Sequence, residues 1–292
     1  MADALVRLYF PHTKLNASVA VATLAAREAR DLHQLHAASA DVLGQALCGA
    51  ALLASLQKDE SRLNLQVECD GALRGLFVDA TAGGALRGYV KNVWLDVEGA
   101  SGPFRYRPLF GNAGYVSVLR DFGAGGTYRS SVELKDFDLA VDLTTYLNTS
   151  DQVGSALALE VLPEGTELLG HVTGAVVQLM PGAEAQALAE VTAGLRERLS
   201  KASATEGGAA ALAQALFAGM GADVVATHPL EYRCTCSKER VLAMLAGFGR
   251  DDVQNMLDTQ GKALVTCHFC GRKHEATEQD LRTLLKTFEK DN

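Results

Sequence analysis

An excess of positive charge is the first thing this chain lacks. Its 27 Lys and Arg face 35 Asp and Glu, a formal charge of −8 with a pI near 5.4. That balance excludes a global electrostatic footprint for nucleic acid or for an anionic membrane. Long hydrophobic runs are missing as well, since no stretch of about 18 or more uncharged apolar residues occurs. The opening residues Met1-Ala2-Asp3-Ala4-Leu5-Val6-Arg7 show no charged segment leading into an apolar one. The expectation is a soluble cytoplasmic protein with no nucleic-acid or membrane partner. In that reducing compartment its six cysteines are thiols or metal ligands, not structural disulfides. Catalytic signatures are wanting too. Gly123-Ala124-Gly125-Gly126 lacks the Lys-Ser/Thr of a phosphate loop and reads as a turn, as does Gly83-Gly84. No Ser-His-Asp or paired-carboxylate arrangement has a supporting context, so no catalytic residue is assigned and no enzyme is expected.

What is present is apolar bulk. With 292 residues, 48% of them hydrophobic, the chain is long enough for a large core and one or two smaller units. From Val42 to Leu56 the only polar side chains are Gln45 and Ser55, so His36 to Gln57 reads as a helix apolar on nearly every side, central to a domain. Leu63, Leu65 and Val67 then alternate with Asn64, Gln66 and Glu68, the period of a half-buried strand. Further strands are expected at Leu73 to Asp79, Leu86 to Val90, Tyr115 to Leu119, Tyr128 to Leu134, Ala156 to Val161 and Gly174 to Leu179. Strands that cluster in this way indicate an α+β fold, with a mainly antiparallel sheet packed on helices.

Pro181-Gly182 closes that core, expected over residues 1–180. Residues 181–230 read as a helical linker. Leu188, Val191, Leu195 and Leu199 mark one amphipathic helix, and Ala209 to Phe217 a second that is too short to stand alone. Residues 231–292 form a module of about sixty residues with few apolar side chains, a size that usually depends on a metal or disulfides. Short helices are expected at Glu239 to Leu245 and Asp251 to Leu257, a strand at Lys262 to Thr266, and a last helix from the cap-like Thr277-Glu278-Gln279-Asp280.

Within that module lie Cys234-Thr235-Cys236 and Cys267-His268-Phe269-Cys270. Four thiolates in two close pairs complete a tetrahedral Zn²⁺ site and leave no position open for substrate. With four cysteines as ligands, His268 and His274 have no ligating role to fill. The spacing adds a second option. At ~3.3 Å per extended residue the Cα atoms of Cys234 and Cys236 lie at most ~6.6 Å apart, near the upper edge of disulfide geometry. A turn brings Cys267 and Cys270 within the same reach. Each pair can therefore bind metal or close on itself, but not both, which is how a switch is built. Arg233, Lys238, Arg272 and Lys273 are placed to offset the formal −2 charge of such a site. Cys48, in the buried helix, and Cys69, at a strand end, read as inert packing thiols. The competing readings are a purely structural zinc module in an adaptor or nucleic-acid-binding protein, and a thioredoxin-like CxxC. The second is disfavoured because Gly271 and charged residues follow where a helix should start.

The run Tyr232-Arg233-Cys234-Thr235-Cys236-Ser237-Lys238-Glu239-Arg240-Val241, followed by Val265-Thr266-Cys267-His268-Phe269-Cys270, resembles the redox-regulated chaperone family of heat shock protein 33, the 33 kDa chaperonins. The likeness extends through His36-Ala37-Ala38-Ser39, Leu43 to Leu47, Leu63 to Gly71, Leu86 to Val90 and Tyr146 to Gln152; Tyr128 to Val132 departs from the family pattern. The resemblance implies an ATP-independent holdase for unfolding client proteins, inactive while reduced and zinc-bound. It implies one zinc per chain, held by Cys234, Cys236, Cys267 and Cys270. It implies disulfides Cys234–Cys236 and Cys267–Cys270 on oxidation, the second pair reacting first, with zinc release, loosening of the linker and formation of a homodimer.

Overall fold

The computed structural model describes residues 2–57, 61–95 and 107–288 and divides into two compact units, residues 1–233 and 234–292. The larger unit opens with strands β1 (Ala4–Phe10) and β2 (Leu15–Val21) and helices α1 (Thr23–His33) and α2 (Ala37–Ser55). Strands β3 (Arg62–Cys69), β4 (Gly75–Thr81) and β5 (Ala85–Val90) follow, then the single turn α3 (Arg107–Phe110) and the hairpin β6 (Gly114–Asp121) and β7 (Thr127–Glu133). Helix α4 (Leu139–Thr149) leads to the long hairpin β8 (Ser155–Glu164) and β9 (Glu167–Leu179). Three short helices α5 (Ala185–Thr192), α6 (Leu195–Ala202) and α7 (Gly208–Leu216) precede β10 (Asp223–Pro229) and β11 (Glu231–Tyr232). One sheet has the order β10-β1-β2-β9-β8 and the other β11-β5-β4-β3-β6-β7. All pairings in both sheets are antiparallel except β11 with β5. The α+β architecture is the one the strand pattern indicated.

Helix α2 explains why the sheets come together. Seventeen of its nineteen residues are buried, and it packs on β2, β8 and β9 of one sheet and on β3, β4 and β5 of the other. A helix without a polar face has no side to give to water. It alone among the described residues is long and apolar enough to cross a membrane, and 83% of that apolar window is buried in the core. Its approach to β9 is close: a Cβ on Gly174 would sit 2.8 Å from Cys48 Sγ and 2.9 Å from side-chain carbons of Leu52 and Leu159.

The first sheet is covered on both faces. One side meets α2, and the other carries Val6, Leu8, Phe10, Leu15, Val19 and Val177 against Val191, Leu195, Leu199, Leu212, Leu216 and Phe217. Phe217 meets Phe10 edge-on with ring centroids 5.3 Å apart. Each of these large apolar side chains contributes roughly 1.5–3 kcal/mol by leaving water. The segment expected as a linker thus packs inside the larger unit. The single amphipathic helix expected across Leu188 to Leu199 is two helices, because Gly194 takes a left-handed φ of 63° between them. Arg196 of α6 donates from Nη1 to Asp138 Oδ2 at 2.7 Å, while Asp138 Oδ1 caps α4 by accepting from the Ala140 and Val141 N–H groups. Ser203, just past α6, shares a buried hydroxyl contact with Thr173 of β9 at 2.7 Å. At the end of the unit Tyr232 is buried and donates from its hydroxyl to the Gly88 carbonyl at 2.9 Å.

The smaller unit contains α8 (Lys238–Ala246), α9 (Arg250–Gln260), β12 (Ala263–Thr266), β13 (Lys273–Ala276) and α10 (Glu278–Phe288). Its core is slight: among its described residues seven side chains are buried together, led by Val241, Leu245, Val253, Leu281 and Leu285. Lys238 Nζ pairs with Asp280 Oδ2 at 2.6 Å, tying the first turn of α8 to that of α10. All the elements expected here form, and β13 is an additional one.

Candidate metal centre

Two loops of the smaller unit face each other. The first is the segment Cys234-Thr235-Cys236, between β11 and α8. Helix α8 begins directly after it: Ser237 is its N-cap and accepts from the Arg240 N–H at 3.3 Å. Arg240 Nη1 reaches back to Thr235 Oγ1 at 2.6 Å and braces the loop. The second loop is the tip of the β12–β13 hairpin, whose register ends at Thr266 opposite Lys273. Cys267 N–H donates to the Arg272 carbonyl at 2.9 Å and Gly271 N–H to the Cys267 carbonyl at 2.8 Å. Gly271 supplies the φ of 67° that lets the tip turn back on itself.

Between these loops the four sulfurs converge. Cys234 Sγ lies 3.6 Å from Cys267 Sγ, Cys236 Sγ lies 3.5 Å from Cys270 Sγ, and all four fall within 4.8 Å of one another. A tetrahedron of thiolates around Zn²⁺ at ~2.3 Å has edges of about 3.8 Å, so the donor set fits that ion closely. Its charge fits as well. Partial burial opposes ionisation of Cys234, but the Cys236 N–H and the neighbouring thiols donate to its sulfur and bring it down to about 7. Burial, with the sulfurs of Cys234 and Cys267 adding to it, pushes Cys236 and Cys270 up. One thiolate is readily held by the cluster alone, whereas four require a cation at their centre.

The structure therefore brings together all four cysteines named from the sequence. Cys48 and Cys69 lie apart from them, in α2 and at the end of β3, and burial pushes both thiols up. Two of the four basic residues expected to offset the site's charge are engaged elsewhere, Lys238 with Asp280 and Arg233 with Glu231 at 3.1 Å. N–H groups stand in for them: the Cys236 and Arg272 backbones donate to the sulfurs of Cys234 and Cys270. His274, passed over as a ligand, places Nε2 3.2 Å from Cys236 Sγ. The signal for it was the alternation in Lys273-His274-Glu275-Ala276, where positions 274 and 276 turn inward.

Known proteins resemble this chain over nearly its whole length. A family model described as Hsp33 protein matches residues 3–277. The chain is 34% identical over 297 aligned residues to a 33 kDa chaperonin of Cyanothece sp., covering 98% of this chain and 97% of that protein. It is 30% identical over 292 residues to a 33 kDa chaperonin of Limosilactobacillus fermentum, covering 98% and 100%. Its fold matches the crystal structure of the 33 kDa chaperonin of Thermotoga maritima with a TM-score of 0.84, at 26% identity and over 100% of both chains. With its sequence, its fold and its convergent cysteines in agreement, the chain belongs to the Hsp33 family.

Proposed function

We propose that this chain is a cytoplasmic, redox-regulated, ATP-independent holdase, silent when reduced and zinc-bound and activated by disulfide formation with zinc release. It would then protect unfolding and oxidatively damaged proteins from aggregation, as a homodimer in its oxidised form. The observation that carries the reading is the convergence of four sulfurs from two loops of a unit with only seven buried core side chains. Such a core is too small to hold the unit together alone. Cys234, Cys236, Cys267 and Cys270 would be the ligands. Zinc, when bound, would tie the two loops together and keep all four sulfurs deprotonated.

Deprotonated sulfurs are also the ones that react with oxidant. In each pair one thiolate attacks hydrogen peroxide, giving a sulfenic acid and hydroxide. The second thiolate then displaces hydroxide from that sulfur to form the disulfide. One peroxide takes up two electrons per pair, and no outside reductant or oxidant beyond it enters. The pairs are Cys267–Cys270, reacting first, and Cys234–Cys236. Residues 1–180 act as the core, 181–230 as the linker and 231–292 as the switch; β10 ends the linker and β11 opens the segment that runs into Cys234. Loosening of α5 to α7 uncovers the apolar face of the first sheet and their own Leu195, Leu212, Leu216 and Phe217, a surface suited to unfolded clients.

Light scattering from a thermally unfolding client tests this, with the chain added either reduced and zinc-loaded or pre-oxidised with peroxide. Suppression by the oxidised form alone, accompanied by zinc release, is the expected result. Suppression by neither form favours a purely structural zinc module, and suppression by both removes the switch.

A further inference from the structure

His274 sits on β13 opposite Val265, half-buried, with its Nε2 3.2 Å from Cys236 Sγ. A metal-bound or ionised sulfur only accepts hydrogen bonds, so a contact of this kind requires the proton on Nε2. Two further observations bear on it. Cys234 and Cys270 each have a backbone N–H directed at the sulfur, whereas Cys236 has none among the influences on it, and the His274 ring beside it is held by the inward face of a paired strand. An N–H donor draws electron density from the thiolate and fixes its direction, as partners around ligating side chains do in metal sites generally.

We propose that His274 is the positioning residue of Cys236: its Nε2–H donates to the sulfur, keeps it facing the other three cysteines and lowers its reactivity. The Cys234–Cys236 pair thereby retains its metal and meets oxidant after Cys267–Cys270. This rests on the metal-switch reading above and gives it a cause for the order of the two pairs.

The test uses the full-length, reduced, zinc-loaded protein with His274→Leu, which keeps bulk without a donor, and His274→Gln, whose amide N–H reaches about as far as Nε2. Zinc affinity is measured by competition with a chromophoric chelator, and alkylation of each cysteine by N-ethylmaleimide is followed by peptide mass. The expected result for the Leu variant is zinc affinity about tenfold weaker, the low end of what loss of an outer partner costs, with a raised ratio of Cys236 to Cys234 alkylation. Gln restores both. The ratio compares two cysteines in one molecule, so general loosening of the unit leaves it in place. An unchanged ratio in the Leu variant, or an equal shift in Leu and Gln, overturns the proposal. Should the Leu variant not fold, His274→Asn, whose amide falls short, is expected to raise the ratio where Gln does not. Failure of the parent reading looks different, because the unsubstituted protein would then suppress client aggregation in neither its reduced nor its oxidised form, or in both, whatever the alkylation ratio of the variants.

Discussion

At the scale of single residues, six thiols divide into two chemistries by their surroundings. Cys48 is fully enclosed by α2 and β9, where burial pushes its thiol up and leaves it a packing group. Cys234 is brought down to about 7 by donors around it. The same peroxide therefore meets one inert thiol and one reactive one in the same chain. The packing role can be tested apart from the redox one at Gly174, since an added Cβ there lands 2.8 Å from Cys48 Sγ. Gly174→Ala is expected to destabilise the larger unit by ~1–3 kcal/mol, the usual cost of overpacking. The denaturant midpoint of that unit should fall while zinc binding stays unaltered. Loss of zinc binding instead would mean that the core and the cysteine site are not separable.

At the scale of elements, the smaller unit is a set of short pieces joined by caps. Thr277 and Asp280 bond reciprocally at the start of α10, and Lys238 and Thr277 together hold the Asp280 carboxyl down to about 2. Because the folded value lies below the ordinary 3.8, Asp280 stabilises the folded unit at every pH above 3.8, and that contribution fades as pH falls through about 2. Acid-driven zinc release, set by proton uptake on thiolates, comes at higher pH. Asp280 takes up no proton there in either state, so Asp280→Asn should leave the steepness of zinc release against pH unchanged; a shallower curve would show that Asp280 titrates with the cysteines. Legibility in the sequence also varied by element. Strand β3 showed itself by alternation because one face of its sheet is only partly covered, and β4 to β6 as runs set off by Gly, Asp and Pro. Strand β1 alternates from Val6 to Phe10 yet went unread, and β2 does not alternate, since it is buried at every residue but Asn16. A strand without a wet face has no alternation to read. The cysteine loops were legible because metal ligation fixes residue type and spacing together. His274 was not, since a single contact from the hairpin to the Cys234–Cys236 loop leaves only a weak mark on sequence.

At the scale of the whole molecule, the proposed activation turns on two stabilities of very different origin. Structural zinc supplies about 10–16 kcal/mol of apparent binding free energy in small domains, against the ~5–15 kcal/mol that a whole domain usually has. Metal release should therefore unfold residues 234–288 outright. The linker helices are held by ordinary packing, with Phe217 against Phe10, Arg196 on Asp138 and Ser203 on Thr173. In the proposed switch their release would be graded, so side-chain truncation should imitate it. Phe217→Ala removes a buried aromatic, which costs ~3–5 kcal/mol, and leaves all four cysteines in place. The reduced, zinc-loaded variant is expected to show raised hydrogen exchange across 182–230, unchanged exchange across 234–288, and suppression of client aggregation without oxidant. The unsubstituted protein should show raised exchange in both segments only after oxidation. If the variant loosens 182–230 yet binds no client, the covered sheet face is not the client surface. If oxidation leaves exchange across 182–230 as it was, the linker does not transmit the switch. The Phe217 variant thus separates where clients bind from how the cysteines control it.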